Sequence, residues 1–447
     1  MKAFKAYDIR GAYPEDINEE IAYKIGYFLP ELLKTKKVLV GRDVRNSSNS
    51  LFDALSNGIT DAGADVYDAG LTSTPMIYWA TAKFDYSASV QITASHNPSH
   101  HNGMKVSGRN ALPIGYDNGL KTIKEWIING KSTPKIVKGQ VYSFSIIEQY
   151  LEFMQKYVHP LPNYNICLDC SNGMAAEIID KLLPTSVHYI NNTRDGNFPG
   201  HDPNPLNPKN LKDLQTEVLA RKADVGVIFD GDADRVMFID ENGKFISPDL
   251  IIAAMGHYFL ENNNKKIKVI QDIRTSKAVG EYLAPMGAEI YMWRVGRAFA
   301  APKLKEIDGL FGGELAGHYY FKDFYYSDSG IMACLIALKI FFKFKQKGIS
   351  LSKLIKNINP YHSSGEINFR IENKKDAMDA VKSFFYSINT PVKFYDFDGY
   401  RLDYPDFWLN IRPSNTEPYL RFITEAVSIE KLNEIIESVE SIMKKFE

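Results

Sequence analysis

Three cysteines in 447 residues, Cys167, Cys170 and Cys334, are too few for a disulfide framework and fit a reducing, cytoplasmic compartment. Cys167 and Cys170 form a C-x-x-C, but no second ligand pair for zinc accompanies them. The motif lies on the apolar run Ile166-Cys167-Leu168, which favours core packing. Charge of one sign is also lacking: the formal net charge is −1, which leaves no global field to draw nucleic acid or an anionic membrane. Any anionic ligand must be held by local arginines and lysines. Long hydrophobic runs are missing as well. Lys2 and Lys5 lead into no apolar stretch, against a secretory signal. The longest greasy run, Ile331 to Leu338, stops at Lys339, far short of the roughly 20 residues a membrane span needs, and reads as a buried helix.

What the chain has instead is a repeated pattern. Its length exceeds what one core serves, so several domains are expected. Three apolar runs end in an aspartate and a polar loop: Val38-Leu39-Val40 to Asp43, Ile166-Cys167-Leu168 to Asp169, and Val269-Ile270 to Asp272. Each reads as a buried strand. A helix-like segment follows (Ser50 to Ala62, Met174 to Leu183, Ser276 to Met286), then a second short strand (65–67, 187–190, 289–292). Parallel pairing needs such helical crossovers. The expected fold is α/β: three similar α/β domains with mixed, largely parallel sheets over residues 1–145, 146–249 and 250–362, plus a smaller C-terminal α+β domain over 363–447, around a central cleft. In each of the first three a further strand ends in a chemically loaded loop, near Thr93, Asp230 and Gly312, and ligands of open α/β sheets bind beyond strand ends.

The loop Thr93-Ala94-Ser95-His96-Asn97-Pro98 holds a serine that attacks phosphorus if a base activates it. If Ser95 is itself phosphorylated, it brings about −1.5 to −2 charge and three acceptor oxygens. Taken alone, Asn-Pro after a strand is also an ordinary turn. The second loop, Asp230-Gly231-Asp232-Ala233-Asp234-Arg235, crowds three carboxylates. Unit charges about 4 Å apart repel by roughly 4 kcal/mol at an effective dielectric of 20, which calls for a cation, and hard oxygen donors favour magnesium or calcium. An EF-hand would use Asp230, Asp232, Asp234 and Glu241, but Arg235 stands where its glycine belongs and the flanks read as strands. A haloacid-dehalogenase-type phosphatase would use Asp230 as nucleophile, yet usually has threonine or valine at the place of Asp234. In the third loop, Gly312-Gly313-Glu314-Leu315-Ala316-Gly317-His318, three glycines argue against a helical zinc motif. As a loop it offers an acceptor and a donor suited to vicinal sugar hydroxyls, or is a structural turn. A fourth loop, Arg412-Pro413-Ser414-Asn415-Thr416-Glu417-Pro418, combines a guanidinium fork with neutral donors, as a dianionic phosphate requires; a solvated turn is the plain alternative.

Four such loops in this order, with Ala6-Tyr7-Asp8-Ile9-Arg10-Gly11 and Gly41-Arg42-Asp43, resemble the α-D-phosphohexomutase superfamily, in its phosphomannomutase/phosphoglucomutase branch, over nearly the whole chain. The resemblance implies a four-domain enzyme with a deep cleft that interconverts hexose 1-phosphate and 6-phosphate through a phosphoserine and a hexose 1,6-bisphosphate. It implies Ser95 as the phosphorylated residue, with Mg2+ held by Asp230, Asp232, Asp234 and a phosphoserine oxygen. Arg10, Lys105 and His96 would assist catalysis and Arg235 would stabilise charge. Tyr7, Glu314, Ala316 and His318 would contact the sugar, while Arg412, Ser414, Asn415, Thr416 and Arg421 would hold the phosphate that is not being transferred. Lys105 lies in Asn102-Gly103-Met104-Lys105, which matches the segment after the family's serine loop. Closure of the phosphate domain would hinge near Pro360 to Gly365.

Two departures stand out: Ala316 where the family often has serine and Ala233 where it often has glycine. Asn415 favours the mannose/glucose branch over phosphoglucosamine mutases, which usually have glycine there. Phosphoglucosamine mutase is the alternative within the class, and a magnesium-dependent sugar phosphatase the alternative outside it. The expected partner is a small phosphosugar, with neither nucleic acid nor membrane, in a monomer or weak homo-oligomer. Mannose 1-phosphate would feed nucleotide-sugar synthesis.

Overall fold

The computed structural model describes residues 1–261, 265–414 and 419–446. Four sheets follow one another along the chain. The first orders its strands, across the sheet, as Ile9–Ala12, His101–Gly108, Ala88–Ile92, Lys37–Arg42, Asp65–Leu71 and Val141–Ser143. The second runs Phe245–Ile246, Val236–Asp240, Val225–Phe229, Ile166–Asp169, His188–Ile190, and the third Ala288–Trp293, Ile267–Asp272, Phe311–Gly313, Tyr319–Phe321. In each, the strands joined by crossovers pair in parallel, and a hairpin adds an antiparallel strand: Val236–Asp240 on Val225–Phe229, for instance, and Tyr319–Phe321 on Phe311–Gly313.

Why these strands read as continuous apolar runs is visible in where alternate side chains go. Successive residues of a strand point to opposite faces. Leu39, Leu168, Val227, Phe238, Val269 and Phe311 all enter one core shared by the first three units. Their neighbours enter separate outer cores: Val38 and Val40 beneath the helices of the first unit, Cys167, Ile228, Met237 and Ile239 in the second, and Ile270 and Tyr320 in the third. Both faces are dry, so both must be apolar. The shared core is tied across units by aromatic contacts. Trp79, on the helix Thr74–Lys83, meets Tyr150 edge-on with centroids 5.6 Å apart, and Tyr150 meets Phe324 at 6.4 Å. Ser73 caps that helix by accepting from Met76 N–H. The run Ile331 to Leu338 lies buried inside the helix Gly330–Gln346, capped by Ser329.

One expected element differs. The helix anticipated over 174–183 is two 3₁₀ turns, Met174–Glu177 and Ile179–Lys181, with Ile178 out of helical conformation at φ −137° between them. Met174 gives its N–H to Gly231 O (2.9 Å) rather than to its own segment. Ile178, Ile179 and Leu182 are still buried, so the apolar spacing reported the inward face and not the hydrogen-bond ladder.

The fourth sheet is antiparallel, ordered His362–Ser363, Leu420–Ala426, Phe407–Pro413, Tyr400–Asp403, Lys393–Tyr395, with Ile367–Phe369 also on Leu420–Ala426. Helices Lys374–Ile388 and Ile429–Met443 cover it and enclose a core of its own. No helix among the described residues is long and apolar enough to cross a membrane.

Candidate active site

Three strand ends bring the first three loops together. Ser95 follows the strand Ala88–Ile92, Lys105 sits on the antiparallel partner His101–Gly108 opposite Gln91, and Arg10 lies on Ile9–Ala12 opposite Gly103. The aspartates turn between Val225–Phe229 and Val236–Asp240. Ser95 is buried and its backbone is left-handed (φ +52°); its Oγ donates to Asp230 Oδ2 at 2.8 Å. Asp232 Oδ2 accepts from Thr74 Oγ1 (2.5 Å) and from Lys105 Nζ (2.6 Å), and Lys105 also pairs with Asp234. Ala233 stands at φ +60°; an alanine there carries about 1 kcal/mol of backbone strain that glycine would not.

Electrostatics suit this cluster to a cation. Burial, then the neighbouring Asp232 and Asp234, push the Asp230 carboxyl well above its ordinary range. Burial alone would raise Asp234 too, but Lys105 and His318 draw it below the usual value. Lys105 keeps its charge against burial because Asp232 and Asp234 face it. One oxygen each of Asp232 and Asp234, Oδ1 in both, is buried with no hydrogen-bond donor, a costly state unless a cation meets them. Ligand oxygens of the three aspartates lie within 4.8 Å of one another, so the residues fit a hard divalent ion.

Beside the cluster opens a cavity of ≈ 160 Å³ whose walls include Tyr7, Arg10, Lys105, Asp234, Arg235, Glu314, Ala316 and His318. Glu314 Oε1 accepts from Gly296 N–H (3.1 Å) and Tyr320 O–H (2.7 Å), and burial raises its pKa. His318 Nε2 accepts from Arg235 Nε (2.9 Å), and Nδ1 therefore carries the proton it gives to Asp328 Oδ2 (2.7 Å). Arg10 Nη1 donates to Asn97 Oδ1 (3.1 Å) and its guanidinium pairs with Asp8. Tyr7 packs so tightly over Gly296 that a Cβ there would lie 3.0 Å from its ring. Ala316 leaves its stretch of wall without the hydroxyl a serine would offer. His96 is in the serine loop but does not line the cavity; its ring pKa is lowered by burial and by Arg235, Arg10 and Lys105.

The described residues of the fourth loop lie apart from this constellation. Arg412 is buried and its Nε lies 3.4 Å from Asp398, which accepts from Val295 N–H (2.9 Å) at the cavity rim. Ser414 follows, and Arg421, across the hairpin from Arg412, pairs with Glu366 (3.0 Å). None of Arg412, Ser414 and Arg421 lines the cavity, and Asn415 and Thr416 lie outside the described residues.

Sequence reading missed several neighbours. Arg297, the first residue of the helix Arg297–Glu306 that follows the strand Ala288–Trp293, reaches Asp328 (3.0 Å) and Ala111 O (2.6 Å), lies 3.5 Å over the Tyr78 ring, and lines the cavity. The strand-end rule that found the other loops applied to it equally. Thr74 is the first residue of the helix capped by Ser73, and Asp328 precedes Ser329, the cap of Gly330–Gln346. Cys167, by contrast, is a core residue whose thiol burial pushes up to about 11.

Family models described as phosphoglucomutase/phosphomannomutase α/β/α domains I, II and III and C-terminal domain match residues 1–133, 148–243, 247–361 and 366–442. A phosphomannomutase from Vibrio cholerae is 35% identical, with 100% of this chain and 99% of that protein aligned. One from Methanocaldococcus jannaschii is also 35% identical, over 100% and 98%. Among solved structures, a phosphoglucomutase/phosphomannomutase family protein from Burkholderia thailandensis superposes with TM-score 0.89 at 27% identity, covering 99% of this chain and 97% of its own. An N-acetylphosphoglucosamine mutase from Aspergillus fumigatus, in complex with glucose 1,6-bisphosphate, shares the fold at TM-score 0.58 and 14% identity, over 99% and 95%.

Proposed function

The chain belongs to the phosphoglucomutase/phosphomannomutase family, and from that premise we propose that it runs its reaction through a phosphoserine at Ser95. It is a phosphohexomutase, an intramolecular phosphotransferase of the phosphomannomutase type. In the proposed cycle, phospho-Ser95 gives its phosphoryl group to the O6 hydroxyl of a hexose 1-phosphate. The O6–P bond forms as the Oγ–P bond breaks, and the proton lost by O6 balances the one taken up by the released Oγ, passing by way of a wall that includes His318, Glu314 and Asp234. The 1,6-bisphosphate then turns over and returns its 1-phosphate to Ser95. Lys105, Arg10 and Arg235 face the charge that spreads over the moving group, because phosphoryl transfer depends mainly on positioning and electrostatics. Mg2+ held by Asp230, Asp232 and Asp234 would neutralise phosphate charge. Tyr7, Glu314, Ala316 and His318 orient the sugar, His96 supports the serine loop, and Arg412, Ser414, Asn415, Thr416 and Arg421 hold the second phosphate when the fourth domain closes about residues 360–365.

The observation that carries this reading is the Ser95 Oγ to Asp230 Oδ2 contact of 2.8 Å inside a buried carboxylate cluster with two orphaned oxygens. We also propose the domain limits 1–145, 146–249, 250–362 and 363–447, although the helix Pro248–Phe259 and the strand His362–Ser363 cross two of those points. We also propose a cytoplasmic location, which three unpaired, buried thiols suit, and a monomer or weak homo-oligomer.

The test supplies mannose, glucose and glucosamine 1-phosphates with magnesium and a trace of hexose 1,6-bisphosphate, and follows 6-phosphate and inorganic phosphate. We expect 6-phosphate from the mannose and glucose substrates without net phosphate release, and a loss of several orders of magnitude in Ser95→Ala. Wild-type turnover by Ser95→Ala sinks the phosphoserine. Stoichiometric phosphate release would make the enzyme a phosphatase, and preference for the glucosamine substrate would move it to that branch.

A further inference from the structure

Arg45 lies two residues beyond Asp43, at the end of the strand Lys37–Arg42, and its side chain has no exposed surface. A guanidinium has five N–H donors in a rigid planar fork, and here all five are committed. Nε donates to Asp43 Oδ2 (3.2 Å), Nη1 to the carbonyls of Pro98 (2.6 Å) and His101 (3.0 Å), and Nη2 to those of Ser95 (2.8 Å) and Asn97 (2.6 Å). One cation thus gathers four carbonyls within seven residues, from Ser95 to the strand start at His101. Asp43 is fixed in turn, accepting from Arg45 N–H (3.0 Å) and Ser48 Oγ (2.6 Å).

The loop it gathers is strained where the chemistry sits. Ser95 is a non-glycine residue at φ +52°, a conformation that persists only where the surroundings over-determine it. Its carbonyl is pinned on the other side as well, since a Cβ on Gly231 would lie 2.6 Å from Ser95 O. The left-handed turn directs the carbonyl of Ser95 to Arg45 while its Oγ reaches Asp230.

We infer that Arg45 is the positioning residue of the serine loop: it holds Ser95 Oγ at the carboxylate cluster by binding the loop's carbonyls, and touches neither phosphate nor sugar. The inference rests on Ser95 being the phosphate carrier. With no donor left over, Arg45 cannot serve as a phosphate ligand, so its loss acts on the placement of the reacting atom and leaves substrate capture to the other loops. A lysine keeps the charge but has three donors on a flexible stem and cannot reproduce the fork.

Arg45→Lys and Arg45→Met in the full chain test this, with kcat and KM for mannose 1-phosphate taken per folded molecule. Alongside, intact mass follows the phosphoryl adduct formed on incubation with hexose 1,6-bisphosphate. We expect kcat to fall roughly 100-fold, the scale of an ångström's misplacement, with KM unchanged and the adduct forming more slowly. Should Arg45→Met fail to fold, Asp43→Asn, which loosens one end of the fork, is expected to give the same pattern more weakly. Wild-type kcat per folded molecule in Arg45→Lys, or a loss carried by KM, overturns the role of Arg45 while an adduct on the wild type leaves Ser95 standing. No adduct on the wild type overturns both.

Discussion

The first three units and the fourth are held in the molecule by different physics. The first three share one core, in which Trp79, Tyr150 and Phe324 from successive units touch. The fourth has its own core around Leu409, Phe422 and Val439, and meets the third mainly through polar contacts, with the Trp293 and Phe397 rings also meeting at 5.6 Å. Arg401 Nη1 donates to the carbonyls of Ile273 (2.8 Å) and Thr275 (2.6 Å), Lys277 Nζ to those of Tyr404 (2.9 Å) and Pro405 (2.7 Å), and Ser276 Oγ to Glu425 (2.5 Å). Apolar burial is non-directional and cooperative, so the three loops that make the cavity are fixed relative to one another. Hydrogen bonds are directional and each contributes little net stability, so this seam ties the fourth unit to the third without merging their cores. The difference teaches why the loops of Ser95, Asp230 and Glu314 are set against one another while Arg412 lies outside the cavity they line.

Three perturbations would break or sharpen this contrast. Trp79→Ala, in the shared core, is expected to lose about 3–5 kcal/mol, with the first three units melting as one transition in urea; separate transitions for those units would refute the joint core. Leu409→Ala is expected to lose about 2–5 kcal/mol, felt in the fourth unit alone. Limited proteolysis should then cut residues 363–446 while the cavity loops stay protected, and simultaneous opening of all four units would erase the contrast. The smallest effect lies in the seam. Burial, then Asp249, pushes the Glu425 carboxyl up to about 7 from an ordinary 4.5. Between those values the folded state holds a proton that the unfolded chain has released. The contribution is therefore fully present below pH 4.5 and lost as pH rises through 7, at most about 3 kcal/mol. Glu425→Gln should flatten that slope in melting temperature against pH, and an unchanged slope would remove Glu425 from the account.

Legibility in the sequence followed the range of the interactions. The strand runs were visible because dry sheets need apolar residues on both faces, and the aspartate triplet because three carboxylates within five residues need no tertiary information to demand a cation. Ser95 and Glu314 with His318 were found by position after a strand. Met174 to Leu183 was misread because its spacing is helical while its first N–H is taken by Gly231 O. Arg45, Thr74, Arg297 and Asp328 escaped because each acts through a partner at least 31 residues away, as in Arg297 to Asp328, Arg45 to Ser95 O, and Thr74 to Asp232. A lone arginine or threonine after a strand carries no mark of which backbone it will meet.

The amino-acid sequence determined the class of the molecule: repeated α/β units, the order of the four loops, and residue types suited to phosphoryl transfer beside a metal. These depend on local periodicity and on chemistry within a few residues. Tertiary structure decided what those groups do to one another. It merged three inner faces into one core, set Ser95 against Asp230, gave five acceptors to Arg45, and left Arg412 outside the cavity, because burial, carbonyl direction and charge proximity exist only once distant segments have packed.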